Sequence, residues 1–233
     1  MAVMEPSNFP EPDVRLARLA SAVALPPTWP PTDAFLGDLA QRTGLRVHDL
    51  LLIADLPVPA TAWLFDGTAG ASGSLVSRSL ALTASDRQLL RTRARSLTAP
   101  AGTLAPWQPR PYERYPPGFG SLLLRMFALR NLNWLGTAKA MCLMSGVCKA
   151  ASTVGAVGRG AKQLDPEIVE GFAATLGVPV AVLAALTGIR LPGDPRQPAP
   201  EVVDTASLIW EVRHLTRDQE GELTEYAEAL SRR

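Results

Sequence analysis

Aromatic side chains and long apolar runs are scarce in this chain of 233 residues. Phe, Trp and Tyr make up only 6% of it, whereas apolar residues together make up 47%, most of them Ala and Leu. Because strands favour aromatic and β-branched residues, this composition predicts packed helices and an all-α fold. No apolar run approaches the roughly 18 residues of a membrane span, so no membrane association is expected.

Cysteine is also scarce, and no secretory signal is visible. The N-terminal sequence MAVMEPSNFPEPD lacks the basic start and the apolar stretch of a signal peptide, which predicts a cytoplasmic protein. Cys142 and Cys148 are then expected to stay free thiols, with Cys142 buried. A redox or metal role for Cys148 is the minor alternative. Two cysteines without a nearby histidine do not make a zinc site, so no metal or cofactor is expected.

Groups for catalysis are missing as well. The two histidines, His48 and His214, fall in helical segments, where helix-end or surface positions explain them. Residues 155–160 superficially resemble a nucleotide-binding loop, but they lack a preceding strand and the Walker lysine. We therefore expect no enzyme activity.

Positive charge is concentrated in the middle of the chain. Residues 1–97 carry nine basic and nine acidic side chains, residues 98–163 eight and one, and residues 164–233 six and twelve. The three lysines all lie in the middle block. A basic patch on a protein with a net charge of only +1 suits a discrete polyanion-binding surface, although a solvated helical face would have the same composition.

Three stretches rich in Pro and Gly interrupt the helical patterns, at residues 66–74, 98–118 and 191–200. The second holds six prolines and is predicted to be a semi-extended linker, because proline fixes φ and resists helix formation. The expected organisation is a helical segment, a Pro-rich linker, a helical domain, a second Pro-rich linker and a helical tail: residues 1–97, 98–118, 119–190, 191–200 and 201–233.

The chain contains an internal repeat. Residues 35–97 resemble residues 168–230 without a gap when they are shifted by 133 positions. The matched positions have physical roles, since they include helix-ending glycines, which favour positive φ, and threonines at expected helix N-caps. These are Gly44 with Gly177 and Thr83 with Thr216. Chance matching of Ala- and Leu-rich helices is the alternative to a duplication.

The first copy is the shorter one. Residues 14–25 resemble residues 120–132 at an offset near 107, so about 26 residues are missing between this helix and the next. Only residues 26–31 (PPTWPP) take their place, and these are too few for two helices at a rise of 1.5 Å per residue. The sequence thus predicts two related helical domains, the first lacking a two-helix hairpin.

Residues 119–189 predict five short helices. The second, AKAMCLMSG, is expected to begin after an N-cap at Thr137 and to end at Gly146. The third is expected near residues 150–157. Asp165, followed by Pro and Glu, is a strong start for the fourth. A fifth covers residues 180–186.

Three segments, TAKAMCLMSGV, STVGAVGRG and LDPEIVEGFAATLGVPVAVLAALTG, resemble the helix-turn-helix of the lambda-repressor-like (Cro/CI, or XRE) family. The resemblance covers about 70 residues, and the tail LTRDQEGELTEYAEAL is similar to the terminal helix of many such regulators. Twenty arginines against three lysines favour a bacterial, actinobacterial type. The resemblance implies a cytoplasmic, nucleoid-associated transcription regulator that binds double-stranded DNA in a sequence-specific way.

The same resemblance implies which residues bind DNA. The helix near residues 150–158 would lie in the major groove, with Ser152, Thr153 and Ala156 at the bases. Capping of that helix is the alternative role for Ser152 and Thr153. Basic side chains and the start of the second helix would contact phosphates. The full set is Thr137, Lys139, Lys149, Ser152, Thr153, Ala156, Arg159 and Lys162.

Some residues depart from the family pattern. Ala138 stands where glutamine is common, Gly158 where glutamate is common, and two extra residues around Cys148 lengthen the turn. Gly155 and Gly158 also weaken a helix, by about 1 kcal/mol each relative to alanine. The alternative function is therefore a protein-interaction module on a helix-turn-helix fold that has lost specific DNA binding, with residues 1–97 as a surface for a protein partner.

A homodimer is expected, because one chain supplies one such hairpin and paired half-sites multiply affinity. The repeated tails are the expected dimer surfaces, since residues 216–230 form an acidic helix with an apolar stripe at Leu223, Tyr226, Ala227 and Leu230. Residues 83–97 form a similar stripe with arginines. Contact between these two tails is predicted, either within one chain or between chains. The alternative is that each stripe packs on its own domain.

Overall fold

A computed structural model describes residues 9–194 and 197–232. Helices dominate these residues, which confirms the all-α prediction. Two strands of two residues each, β1 (Leu64–Phe65) and β2 (Ala105–Pro106), pair antiparallel. The helices are α1 (Pro12–Ala22), α2 (Asp33–Thr43), α3 (Val47–Ile53), α4 (Gly73–Ala81), α5 (Ala84–Ser96), α6 (Phe119–Ala128), α7 (Trp134–Ser145), α8 (Ala151–Gly158), α9 (Pro166–Leu176), α10 (Val180–Thr187), α11 (Pro200–Val212) and α12 (Arg217–Ser231).

Parts of three predicted segments lie outside the described residues. These are residues 1–8 of the first segment, residues 195–196 of the second linker and residue 233 of the tail. Among the helices that the structure describes, none is both long and apolar enough to cross a membrane.

Several helix ends occur where the sequence predicts them. Gly44 and Gly177 end α2 and α9 in the left-handed conformation, with φ of 76° and 74°. The hydroxyls of Thr83 and Thr216 accept from the backbone N–H groups three residues later. Asp165 caps α9 by accepting from the N–H of Ile168 at 2.8 Å. These local predictions are confirmed.

The helix bounds follow the offset of the repeat. α2, α3 and α5 begin at residues 33, 47 and 84, and α9, α10 and α12 begin at residues 166, 180 and 217, which is 133 positions later in each case. α11 starts six residues earlier than the same offset from α4 would place it. Between α1 and α2, residues 23–32 hold no helix, whereas α7 and α8 lie between α6 and α9.

The last two helices of each copy form a four-helix bundle, in which each helix of one copy packs on a helix of the other copy. α5 packs chiefly on α11, and α4 packs on α12. The same arrangement occurs elsewhere, since α1 packs on α10 and α6 packs on α3. Leu75, Leu90, Leu208 and Leu223 are buried in the bundle. The hydrophobic core is consequently shared between the two halves of the chain.

Opposite charges accompany this bundle. Arg91 forms ion pairs from α5 with Asp204 at 3.2 Å and with Glu211 at 2.9 Å. Asp204 and Glu211 belong to α11, whereas the pair of Arg93 with Glu222 and the packing of α5 on α12 place the predicted contact between the basic and the acidic tail within one chain. Leu223, Ala227 and Leu230 of the stripe are buried there, and Tyr226 is half-buried. The pairs in full are Arg78 with Glu228, Arg87 and Arg91 with Asp204, Arg91 and Arg95 with Glu211, and Arg93 with Glu222.

Residues 98–118, the predicted Pro-rich linker, contact other parts of the chain at several positions. β2 pairs with β1, and the ring of Trp107 stacks on that of Trp63 with centroids 5.0 Å apart. Tyr112 and Tyr115 pack near the start of α7. Aromatic rings make these contacts, and Trp107 and Tyr115 are half-buried whereas Tyr112 is exposed.

Candidate nucleic-acid interface

α7 begins one turn earlier than the sequence predicts. The side chain of Asn133 caps it by accepting from the N–H of Gly136 at 2.9 Å. Thr137 thus lies inside the helix, and its side chain is buried with only 1% exposed. The prediction that Thr137 caps α7 is wrong, and its buried side chain is not available to a phosphate. The free backbone N–H groups belong to the turn that begins at Trp134.

The turn after α7 is closed by a disulfide. Gly146 ends α7 with φ of 76°, as predicted, and the chain then folds back. This brings the Cα atoms of Cys142 and Cys148 to 4.3 Å, and their sulfur atoms are bonded. The prediction of free thiols, including a buried thiol at Cys142, is wrong. Its physical reason is that the sequence separation of six residues across a left-handed turn leaves the two side chains adjacent.

α8 packs closely on its neighbours through one face. Val154 and Val157 are buried, together with the two glycines of the helix. A β-carbon on Gly155 would lie 2.6 Å from the ring of Trp134, and one on Gly158 would lie 2.4 Å from Leu124. These glycines cost helix propensity, but they allow the close approach of α8 to α6 and α7.

The opposite face of α8 is open. Ser152 and Arg159 are exposed and Ala156 is half-buried, so a row at spacing i, i+4, i+7 faces outward. Thr153 is half-buried at the edge of this row. Ala150 occupies the N-cap, without a side-chain hydrogen bond. Ser152 and Thr153 are therefore free of the capping role that was the alternative for them.

The four basic side chains that are predicted to contact phosphates differ in their present partners. Lys139 is exposed on α7 without an ion-pair partner among the described residues. The guanidinium of Arg159 lies 5.0 Å from the ring centroid of Trp134. The amine of Lys149 pairs with Glu167 at 2.6 Å, and that of Lys162 pairs with Asp165 at 3.3 Å. Two of the four cations are therefore already neutralised by α9.

Asp165 competes with a phosphate for Lys162. Burial on its own would raise the pKa of Asp165, but the hydrogen bond from the N–H of Ile168 and the charge of Lys162 outweigh it and lower that pKa. The carboxylate is thus ionised at neutral pH, and a phosphate must replace it at Lys162.

Trp134 is the residue of this surface that sequence reasoning missed. Its ring packs on Gly155, and the guanidinium of Arg159 lies over the same ring. Its Nε1–H donates to the hydroxyl of Tyr115. Burial raises the pKa of Tyr115, which stays protonated. The available signal was the pair of glycines in α8, because a glycine inside a helix often marks a close approach by a bulky neighbour.

No protein-family model, curated protein or solved structure matches the chain. Within the described residues, no group of three or more His, Cys, Asp or Glu side chains is placed to hold a metal ion.

Proposed function

We propose that this protein is a transcription regulator that binds double-stranded DNA in a sequence-specific way, with α8 in the major groove. The observation that carries the proposal is the outward-facing row of Ser152 and Ala156 on α8, with Arg159 exposed directly after it, on a helix that follows α7 after a tight turn. An α-helix fits the major groove, and short side chains let its backbone approach the base edges. Lys139 and Arg159 would supply phosphate contacts beside that row.

The proposal includes a two-domain interpretation of the chain. α6 to α10 would form the five-helix domain of lambda-repressor type, and α1 to α3 a degenerate copy without the α7–α8 hairpin. The support is the offset of 133 positions that three of the four pairs of helix starts share, and the absence of a helix in residues 23–32. The two-residue strand β1 is a departure from the repeat.

A homodimer on DNA belongs to the same proposal, because each chain offers one recognition helix and two half-sites bind more tightly than one. The stripe on α12 is buried within the chain, so the dimer would use another surface. Light scattering of the full-length protein with and without its DNA measures the stoichiometry.

The test is selection of bound duplexes from a random pool, followed by fluorescence anisotropy at several salt concentrations. A regulator of this type enriches one motif and loses affinity linearly in the logarithm of salt concentration. Uniform weak binding to all duplexes would contradict sequence-specific recognition.

The second candidate is a protein-interaction module, and the exposed apolar surface of α7 favours it. Leu135 is 53% exposed and Leu143 is 41% exposed, and they flank Lys139 at four-residue spacing. The ion pairs of Lys149 and Lys162 also reduce the positive charge available to DNA. In this case the selection enriches no motif, and Leu135→Ser leaves the weak DNA affinity unchanged.

A further inference from the structure

A pocket of about 300 Å³ lies where the end of α11 meets α3 and β1. No residue of α8 lines it. Its polar lining consists of His48, Thr61, Arg213 and His214, and the remainder is apolar. Both histidines of the chain are therefore in this pocket. No carboxylate lines it among the described residues.

Three guanidinium groups surround Trp210 next to this pocket. Those of Arg213, Arg130 and Arg46 lie 3.7, 5.3 and 5.6 Å from the ring centroid. Arg213 donates from Nη1 to the carbonyl oxygen of Trp210 at 2.6 Å. Its Nε is buried and has no hydrogen-bond partner among the described residues. Nε of the nearby Arg130 is likewise buried without a partner among those residues, and such unpaired donors leave positive charge uncompensated in this region.

The nearest carboxylates are already used by other arginines. Both oxygens of Asp49 accept from Arg130, at 2.8 Å each. Glu211 accepts from Arg91 and Arg95. Within the described residues, neither Arg213 nor the neighbouring Arg46 therefore forms an ion pair of its own.

The directions of the pKa shifts in this region agree with an excess of positive charge. Burial, and then the nearby Arg213, lower the pKa of His48. Burial and Arg213 also lower the pKa of His214, although its hydrogen bond to Leu64 opposes this. Burial, Arg130 and Arg46 lower the pKa of Arg213 to about 10. Each of these groups would be stabilised in its charged form by an added negative charge.

We propose that this pocket binds a small anion, through the phosphate or carboxylate group of a low-molecular-weight effector. Arg213 provides a fixed charge and donors from the guanidinium. His214 bonds through Nδ1 to the carbonyl oxygen of Leu64 at 2.7 Å, so the neutral ring carries its proton on Nδ1 and protonation makes Nε2 a second donor. The pocket walls at Leu64 and Leu104 would contact an apolar part of the effector.

Nitrogen-detected NMR of the two imidazoles tests this proposal directly in the full-length protein. Inorganic phosphate, acetate and a DNA duplex are added separately while the pH is varied. Because binding and protonation are linked, phosphate or acetate is expected to raise the midpoint of at least one imidazole titration by about half a pH unit or more. A shift of the titration midpoint with phosphate alone, or with acetate alone, identifies whether the effector binds through a phosphate or a carboxylate group.

Arg213→Gln removes the charge and is expected to weaken binding of the anion about tenfold or more. Arg213→Lys keeps the charge and should retain part of the affinity, and Arg190→Gln, at an exposed arginine outside the pocket, should behave as the parent. The Nδ1–H signal of His214 reports that the pocket is still folded in each variant. The proposal is overturned if neither anion moves an imidazole titration, if Arg213→Gln responds as the parent does, or if only the duplex has an effect.

Discussion

Arg130, just after α6, and Asp49 of α3 form a buried ion pair with two parallel hydrogen bonds between the two halves of the chain. Nη1 and Nη2 of the arginine each lie 2.8 Å from one carboxylate oxygen of Asp49. The side chains are 2% and 0% exposed. Nη1 also donates to the carbonyl oxygen of Met126 at 2.7 Å. The pair has geometric specificity, because two parallel bonds allow only one orientation of the partners.

Asp49→Ala is expected to lower the free energy of unfolding by about 3–5 kcal/mol, because it leaves the guanidinium of Arg130 buried without its counter-ion. Urea denaturation measures this. Arg93→Ala, which breaks an exposed pair with Glu222, is the matched control and should cost about 1 kcal/mol or less. A similar loss in both variants would show that burial of the Asp49 pair has no energetic consequence.

Gly155→Ala is expected to destabilise the protein by about 1–3 kcal/mol, although alanine is the better helix former. The added β-carbon would meet the ring of Trp134 at 2.6 Å. Gly37→Ala in α2 is the control, since nothing lies within 4 Å of a β-carbon there. That variant should gain up to about 1 kcal/mol. Thermal unfolding of both compares them, and a stabilised Gly155→Ala would contradict the close packing of α8.

The disulfide predicts that no thiol reacts with a thiol reagent when the protein is purified without reductant and denatured. Two reactive thiols would contradict it. Replacement of both cysteines by serine should cost about 2 kcal/mol, the loop-closure entropy for a loop this short. The cysteine-free protein treated with reductant is the control, since its stability should not respond.

Lys139→Ala and Arg159→Ala are each expected to reduce the salt slope of DNA binding by about one unit, because each removes a cation that lacks a carboxylate partner among the described residues. Lys149→Ala and Lys162→Ala should change it less, since Glu167 and Asp165 already neutralise them. Anisotropy titrations of the four variants measure these slopes.

Ser152→Ala is expected to change the preferred sequence more than the salt slope, because its short side chain would face the bases and not the phosphates. Repeating the duplex selection with this variant checks the expectation. The proposed surface on α8 would be wrong if all four cationic variants changed the salt slope equally and Ser152→Ala left the preferred sequence unchanged.

Features set by local geometry could be predicted from the sequence. The positive φ at a helix end favours glycine at positions such as Gly44 and Gly146, and Asp165 before a proline is a local signal for a helix start. The start of α7 could not be predicted in the same way. Asn133 and Thr137 both suit an N-cap, and the packing of Trp134 against α8, a tertiary contact, accompanies the choice of Asn133.

Features set by contacts far apart in the sequence escaped prediction. Prolines favour an extended segment, but the position of Trp107 and Tyr115 against Trp63 and Trp134 depends on surfaces that only the folded chain creates. The proposed anion pocket is of the same kind, because His48 and His214 lie far apart in the sequence and both line it in the folded chain.

Because helices of the first half pack on helices of the second half, the packing also determines when apolar residues become buried during synthesis. α1 packs on α10 and α4 packs on α12, so most of the partners of the first half belong to the last third of the chain. During synthesis, Leu75 and Leu90 remain exposed until the helices that cover them have left the ribosome. The nascent N-terminal half is therefore expected to expose apolar surface of the kind that chaperones bind, and a premature stop codon before α11 would remove the helices that cover Leu75 and Leu90.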